Sequence, residues 1–290
     1  MTTGDRMAAM PENRRNASGA EAEDEGAPTA SSTPSRSVLV TGGNGSLGRV
    51  LRGALPTLGW QVRTLDLGEP AGAASDAVVG SITDLDTMRR ASAGMDAVVH
   101  LGGIASPDAG WDEALEVNIH GTRTVLEAAR LERVERVVLA SSNHAVGYQA
   151  RGSDDLPADV RVRPDSFYGI SKAALEALGS FYADEYGLEV TALRIGQCQE
   201  RPSDLRALAI WLSFPDFVRL THAALVSPWS GFSTVWGVSR NTQRWWSLDA
   251  GERIGFHPED DAEIYASDFT GDQPRHVGGT APPYGADQAG

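Results

Sequence analysis

Short runs of aliphatic and β-branched residues alternate with longer amphipathic stretches through the first two thirds of the chain. Ser37–Thr41 (SVLVT), Gln61–Leu65, Ala77–Val79, Ala97–Leu101 (AVVHL), Arg136–Ala140 (RVVLA) and Val190–Arg194 (VTALR) read as strands. Most are apolar almost throughout, the pattern expected when both faces of a sheet are covered. Between them, Leu47–Leu58, Leu85–Ala93, Trp111–Arg130 and Asp165–Tyr186 carry apolar positions at helical spacing. Strands in strict alternation with helices predict an α/β fold built on a parallel sheet.

The expected architecture is a doubly wound parallel sheet, the Rossmann fold. After residue 196 the alternation stops. Asp204–Leu212 and Asp216–Val226 read as helices and Ser233–Gly237 as a strand. Residues 197–265 are therefore expected to form a small C-terminal substrate lobe on a domain spanning 36–265. Residues 1–35 are rich in Ala, Glu, Ser, Thr, Pro and Gly and are expected to be a disordered tail, since they cannot bury enough apolar surface to offset the entropy of ordering. Met7 and Met10 both allow a later start. From 266 to 290 the chain again turns polar, with Gly and Pro throughout, and a flexible tail is expected. There is no internal repeat.

Composition narrows the partners. A net charge of -14 repels phosphate backbones, so nucleic acid is not an expected partner. One cysteine, Cys198, excludes an intramolecular disulfide, and six scattered histidines give no zinc-ligand spacing, so no metal is expected. No apolar run reaches the ~20 residues of a membrane helix, and the N-terminus lacks a signal peptide's apolar core. No membrane association is expected, and the expected location is cytoplasmic.

The segment Thr41-Gly42-Gly43-Asn44-Gly45-Ser46-Leu47-Gly48 follows the first strand and opens the first helix. Gly42, Gly45 and Gly48 fit the turn that lets backbone approach a pyrophosphate, with Asn44, Ser46 and Leu47 completing the cradle. The helix start adds free N–H groups and a positive dipole end. Asp66 closes the second strand 18 residues after Gly48, where a carboxylate accepts from adenosine ribose hydroxyls and repels a 2′-phosphate. NAD is thus favoured over NADP, provided Arg63 points away. Leu101, Gly102 and Gly103 end the fourth strand, where small residues admit a flat ligand.

Tyr168 and Lys172 are four apart on the expected helix and share a face. A phenol is a poor base near neutrality, and a neighbouring ammonium is expected to lower its pKa. Lys172 also has the reach to bond a nicotinamide ribose. Ser142, Asn143 and His144 end the fifth strand, on the sheet edge where ligands bind, and a hydroxyl and an amide there suit a substrate oxygen. His144 is read as an orienting residue rather than a base.

The pieces TGGNGSLG, HLGG, SSNH, YGISK and RIG resemble the extended short-chain dehydrogenases, the epimerase/dehydratase-like family, over about 37–265. Within it, SSNHAVGY, RPDSFYGISK, LRIGQC, Trp211-Leu212-Ser213 running into Asp216-Phe217-Val218, and Val235-Trp236-Gly237-Val238-Ser239 with Trp245-Trp246 look like the uronate dehydrogenase subgroup. The resemblance implies NAD-dependent oxidation of D-glucuronate or D-galacturonate at C1 to an aldarolactone, with Tyr168 as base, Lys172 as its helper and Ser142 beside them. It implies that Ser106, Ser142, Asn143 and His144 contact the sugar acid, that Arg206 grips its carboxylate, and that Ile195 packs near the nicotinamide. Gln197 stands where the subgroup has a substrate-touching serine. Ser81, next to Ile82 on the expected adenine side, replaces an aspartate. Ser247 and Leu248 follow the tryptophan pair where an Asp is usual. By the same analogy a homo-oligomer is expected. Two rival readings are a nucleotide-sugar epimerase or dehydratase, for which the lobe is small, and a non-catalytic NAD-binding regulator, against which Tyr168 and Lys172 argue.

Overall fold

The computed structural model describes residues 36–70 and 76–279. Nine strands and eight α-helices follow in chain order among the described residues. They are β1 (Arg36–Thr41), α1 (Ser46–Ala54), β2 (Trp60–Asp66), β3 (Ala77–Val79), α2 (Leu85–Ser92), β4 (Ala97–His100), α3 (Trp111–Glu113), α4 (Gly121–Leu131), β5 (Arg136–Ser142), α5 (Phe167–Tyr186), β6 (Glu189–Ile195), β7 (Gln197–Cys198), α6 (Ala207–Ile210), β8 (Trp211–Leu212), α7 (Phe214–Val226), β9 (Phe232–Gly237) and α8 (Asp249–Arg253). Seven strands form one sheet in the order β3-β2-β1-β4-β5-β6-β9. Every pairing in it is parallel, as the nearly unbroken apolar strands require. The order reverses between β1 and β4, and a crevice opens there at the carboxyl ends of the strands.

Two apolar layers sandwich the sheet. One joins Val38, Val40 and Val99 to Leu51, Phe217, Leu220 and Trp236 under α1 and α7. The other joins Leu39, Val98, Val137 and Leu139 to Met88, Val125, Leu126 and Leu175 under α2, α4 and α5. Helix α5 carries its own start and stop signals: the Ser166 hydroxyl accepts from the Gly169 amide at its start, and Gly187 ends it at φ +73°.

Several expectations are corrected in detail. The single helix expected over Trp111–Arg130 is broken by a π-helical stretch at Ala114–His120, in which the Gly121 amide reaches back to the Glu116 carbonyl. The helix expected at Asp204–Leu212 shrinks to α6, because Trp211 turns extended and pairs with Gln197 as β8. The strand of the expected lobe, β9, joins the main sheet beside β6. The flexible tail expected from 266 does not describe 266–279. There Val277 is fully buried, and its N–H donates to the Gln149 carbonyl at 2.9 Å. The expectations for 1–35 and 280–290 lie outside the described residues. No described helix is long and apolar enough to cross a membrane.

Candidate active site

The turn between β1 and α1 is closed too tightly for side chains. A Cβ on Gly48 would lie 2.2 Å from the Gly42 carbonyl oxygen, and one on Gly42 would lie 2.9 Å from the Gly102 nitrogen. Gly42 also sits at φ +70°, which glycine adopts without strain. Gly45 caps α1 without a side chain, and the first turn holds no acidic residue, so the helix start keeps its N–H groups for an anion. The glycine cradle and these amides fit a pyrophosphate. At the mouth of the turn the Asp66 carboxylate accepts from the Asn44 amide at 2.8 Å and the Leu67 amide at 2.7 Å. Arg63 points away, its Nε 2.9 Å from Asp76.

A directed chain of hydrogen bonds runs from this turn to α5. The Gly102 amide donates to Thr41 Oγ1 at 3.1 Å, and Thr41 Oγ1 lies 2.8 Å from His100 Nδ1. On the other side of the ring, His100 Nε2 lies 3.2 Å from Thr122 Oγ1, whose one proton goes to the Asn118 carbonyl at 2.6 Å. Thr122 must therefore accept from Nε2–H, leaving Nδ1 to accept from Thr41. The ring is neutral, and burial drives its pKa down to about 3, with the Lys172 charge adding to the effect. Asn118, presented by the π-helical stretch, donates to Ser171 Oγ at 3.0 Å, and Ser171 in turn donates to the Tyr168 carbonyl at 2.7 Å. Such stretches are often found at functional positions.

Tyr168 and Lys172 are both buried on α5. Lys172 Nζ donates to the Ala140 carbonyl on β5 at 2.8 Å and stands 5.5 Å from the Tyr168 ring centre. Burial draws the ammonium down to about 8. The expectation of an acidified phenol is corrected: burial raises the Tyr168 pKa above its ordinary value, and a hydrogen bond with the Ser142 hydroxyl opposes that rise. Desolvation of the phenolate outweighs that hydrogen bond, and the Lys172 ammonium stands over the ring face.

The end of β5 runs into a short 3₁₀ turn, Asn143–Val146, capped by the Ser142 hydroxyl accepting from the His144 amide at 3.2 Å. His144 Nδ1 lies 2.9 Å from the Asp165 carboxylate, and its ring meets Tyr168 edge-on at 5.9 Å between centres. Arg206 enters from the start of α6. Burial lowers its pKa, while the carboxylates of Asp204 and Asp165 act the other way. Gln197 donates to Ser203 Oγ at 2.7 Å, and its buried Oε1 has no hydrogen-bond partner among the described residues. Burial pushes the Cys198 thiol up, which favours its protonated form.

These elements enclose a cleft of about 530 Å³. Its walls bring together the expected Gly42, Gly45, Ser46, Leu47 and Gly48, then Leu101 and Gly103. They also bring together the expected Ser142, Asn143, His144, Tyr168, Lys172, Ile195, Gln197 and Arg206. Asn44, Asp66, Ser81, Ile82, Gly102 and Ser106 stand outside those walls. Asn44 reaches the Gly68 carbonyl at 2.8 Å, Ser81 bonds Thr83 at 2.8 Å, and Ser106 accepts from the Asp108 amide at 3.2 Å. The sequence reading missed Thr41, His100, Asn118 and Asp165. Asp165 alone carried a signal, its place just before the helix cap Ser166 in RPDSFYGISK.

The family model described as the NAD dependent epimerase/dehydratase family matches residues 38–198. A uronate dehydrogenase of Pseudomonas syringae pv. tomato is 38% identical over 236 residues, 80% of this chain and 85% of that protein. Among solved structures, a glucuronic acid dehydrogenase from Chromohalobacter salexigens superposes with a TM-score of 0.79 at 35% identity, covering 84% of this chain and 95% of that one. A mutant of the uronate dehydrogenase from Agrobacterium tumefaciens, complexed with NAD, superposes at 0.77 with 36% identity and the same coverage.

Proposed function

The chain belongs to the NAD dependent epimerase/dehydratase family, and on that premise we propose that it is an NAD-dependent dehydrogenase that oxidises a free uronic acid at C1 to the aldarolactone. The substrates are D-glucuronate, D-galacturonate or both. The observation that carries this reading is that a phenol and a guanidinium, Tyr168 and Arg206, open onto the same cleft as the glycine turn.

The Gly42–Gly48 turn and the amides opening α1 would hold the pyrophosphate of NAD, and Asp66 the adenosine ribose. When bound, NAD supplies the acceptor for the two electrons and the hydrogen that leave C1. Tyr168 receives the proton of the C1 hydroxyl. The Ser142 hydroxyl bonds the phenol and steadies it as it changes charge. Lys172, cationic below about 8, favours the phenolate form. Arg206 holds the carboxylate at the far end of the sugar, where a planar guanidinium makes paired charge-assisted hydrogen bonds. Asp165 orients His144 through Nδ1, which leaves Nε2 for a sugar hydroxyl. Holding C1 against the base at one end and the carboxylate at the other removes orientational freedom before the chemistry starts.

Initial rates of NADH formation at 340 nm, with glucuronate, galacturonate, glucose and galactose compared at equal concentration, test the reading. Activity confined to the sugar acids supports it. Equal rates on glucose and glucuronate would remove the role of Arg206, and turnover of a nucleotide sugar without net NADH would replace the reaction.

A further inference from the structure

The last described residues return across the substrate end of the cleft. Arg275–Gly279 runs antiparallel to Gly147–Arg151. Arg151 donates to the Arg275 carbonyl at 2.7 Å, Val277 to that of Gln149 at 2.9 Å, and Gly278 to that of Gly147 at 2.8 Å. The Val277 side chain is fully buried. Its carbonyl accepts from two side chains of the cleft, Asn143 Nδ2 at 3.1 Å and Arg206 Nη2 at 2.8 Å.

Both glycines of the strap are sterically required. A Cβ on Gly278 would fall 1.7 Å from Asp165 Oδ2, the carboxylate that holds His144. Gly279, at φ +87°, lies against Arg206, where a Cβ would be 2.8 Å from Cδ and 2.9 Å from Nε. Arg206 Nε is buried without a hydrogen-bond partner among the described residues. The Nε side of the guanidinium is thus covered by the Gly279 backbone, and one N–H of Nη2 is tied to the Val277 carbonyl. Nη1 and the second N–H of Nη2 are left to meet a ligand.

Resting on the function proposed above, we propose that Arg275–Gly279 is a positioning strap, in which the Val277 carbonyl holds Asn143 and Arg206 so that the guanidinium takes the substrate carboxylate end-on through its Nη atoms. A carbonyl bound to two donors at once fixes their separation as well as their direction. A long arginine side chain that is already ordered loses less entropy when it captures an anion. The strap acts on the carboxylate end of the substrate, away from the cofactor turn.

The experiment is Gly279→Ala in the full chain, alone and combined with Arg206→Ala; the three atoms nearest the new Cβ all belong to Arg206. Gly279→Ala should raise the KM for uronate about tenfold, as for one lost charge-assisted hydrogen bond, and leave the KM for NAD almost unmoved. In the Arg206→Ala background, where the atoms the new Cβ meets are gone, it should have no further effect on that KM. If Gly279→Ala does not fold, the hydrogen-exchange readout decides.

Hydrogen exchange at the Val277 and Gly278 amides gives a readout that needs no turnover. Arg206→Ala and Asn143→Ala should each speed exchange there. Unchanged exchange in both variants, an unmoved uronate KM in the glycine variant, or additive effects in the double variant would overturn the strap. If the wild type fails to oxidise any uronate, the proposed function falls. The exchange experiment still decides whether the strap holds Arg206.

Discussion

The Asp165 carboxylate, its side chain only 2% exposed, lies 2.9 Å from Nδ1 of His144, a residue of the cleft wall. The carboxylate sets Nδ1 as the donor and leaves Nε2 for a ligand. Asp165→Asn keeps the shape but replaces a charged acceptor with a neutral one. It should lower kcat/KM for uronate about tenfold, the difference between charged and neutral hydrogen bonds, with a smaller change in the KM for NAD. Steady-state rates with each substrate varied in turn make the check.

In the proposed reaction the Tyr168–Lys172 pair sets the pH dependence. Burial raises the phenol, so it is neutral at rest, and the proposed C1 oxidation needs its basic form. The rate should therefore climb from neutral into alkaline pH. The Lys172 charge, proposed to favour the phenolate, is present below about 8 and lost above it. Lys172→Met should lower the rate about 100-fold below about pH 8, where the ammonium carries its charge, and less above it, and Tyr168→Phe should lose at least as much at every pH. A pH–rate profile recorded at 340 nm for the wild type and both variants separates the two roles. An equal loss above and below about pH 8 in Lys172→Met would dismiss the lysine charge as helper.

His100 couples the site to acid stability. Its pKa is about 3 in the fold against 6.5 in an unfolded chain, so between those values the unfolded state binds the extra proton. Its contribution to stability is fully present above about 6.5 and is lost as the pH falls toward 3. The slope is about 1.4 kcal/mol per pH unit inside that window. Thermal melts at pH 7, 5.5 and 4 should show a steeper fall for the wild type than for His100→Gln, although the variant starts from a lower melting temperature. Parallel curves would mean that His100 is not the group that takes up the proton.

The glycine turn, the Tyr168–Lys172 pair and the alternation of strands and helices were legible because each depends on side-chain type at short spacing. The π-helical stretch was not. Ala114–His120 has the apolar rhythm of an ordinary helix, and only the folded backbone shows that Asn118 is turned toward Ser171. The strap was hidden for another reason. It lies in a polar run rich in Gly and Pro, and the group that matters is a main-chain carbonyl, which carries no mark in the residue identity of Val277. The pKa of Tyr168 was misjudged because spacing shows which charges are near but not how much water is excluded.

The central claim is a net oxidation at the anomeric carbon of a sugar acid, and galacturonate labelled with carbon-13 at C1 tests it most directly. With NAD present, carbon-13 NMR and absorbance at 340 nm followed together should show the C1 hemiacetal signals replaced by a lactone carbonyl, with one NADH formed for each carbon converted. Loss or inversion of the C1 or neighbouring signals without NADH, or NADH formed while C1 stays a hemiacetal, would contradict it.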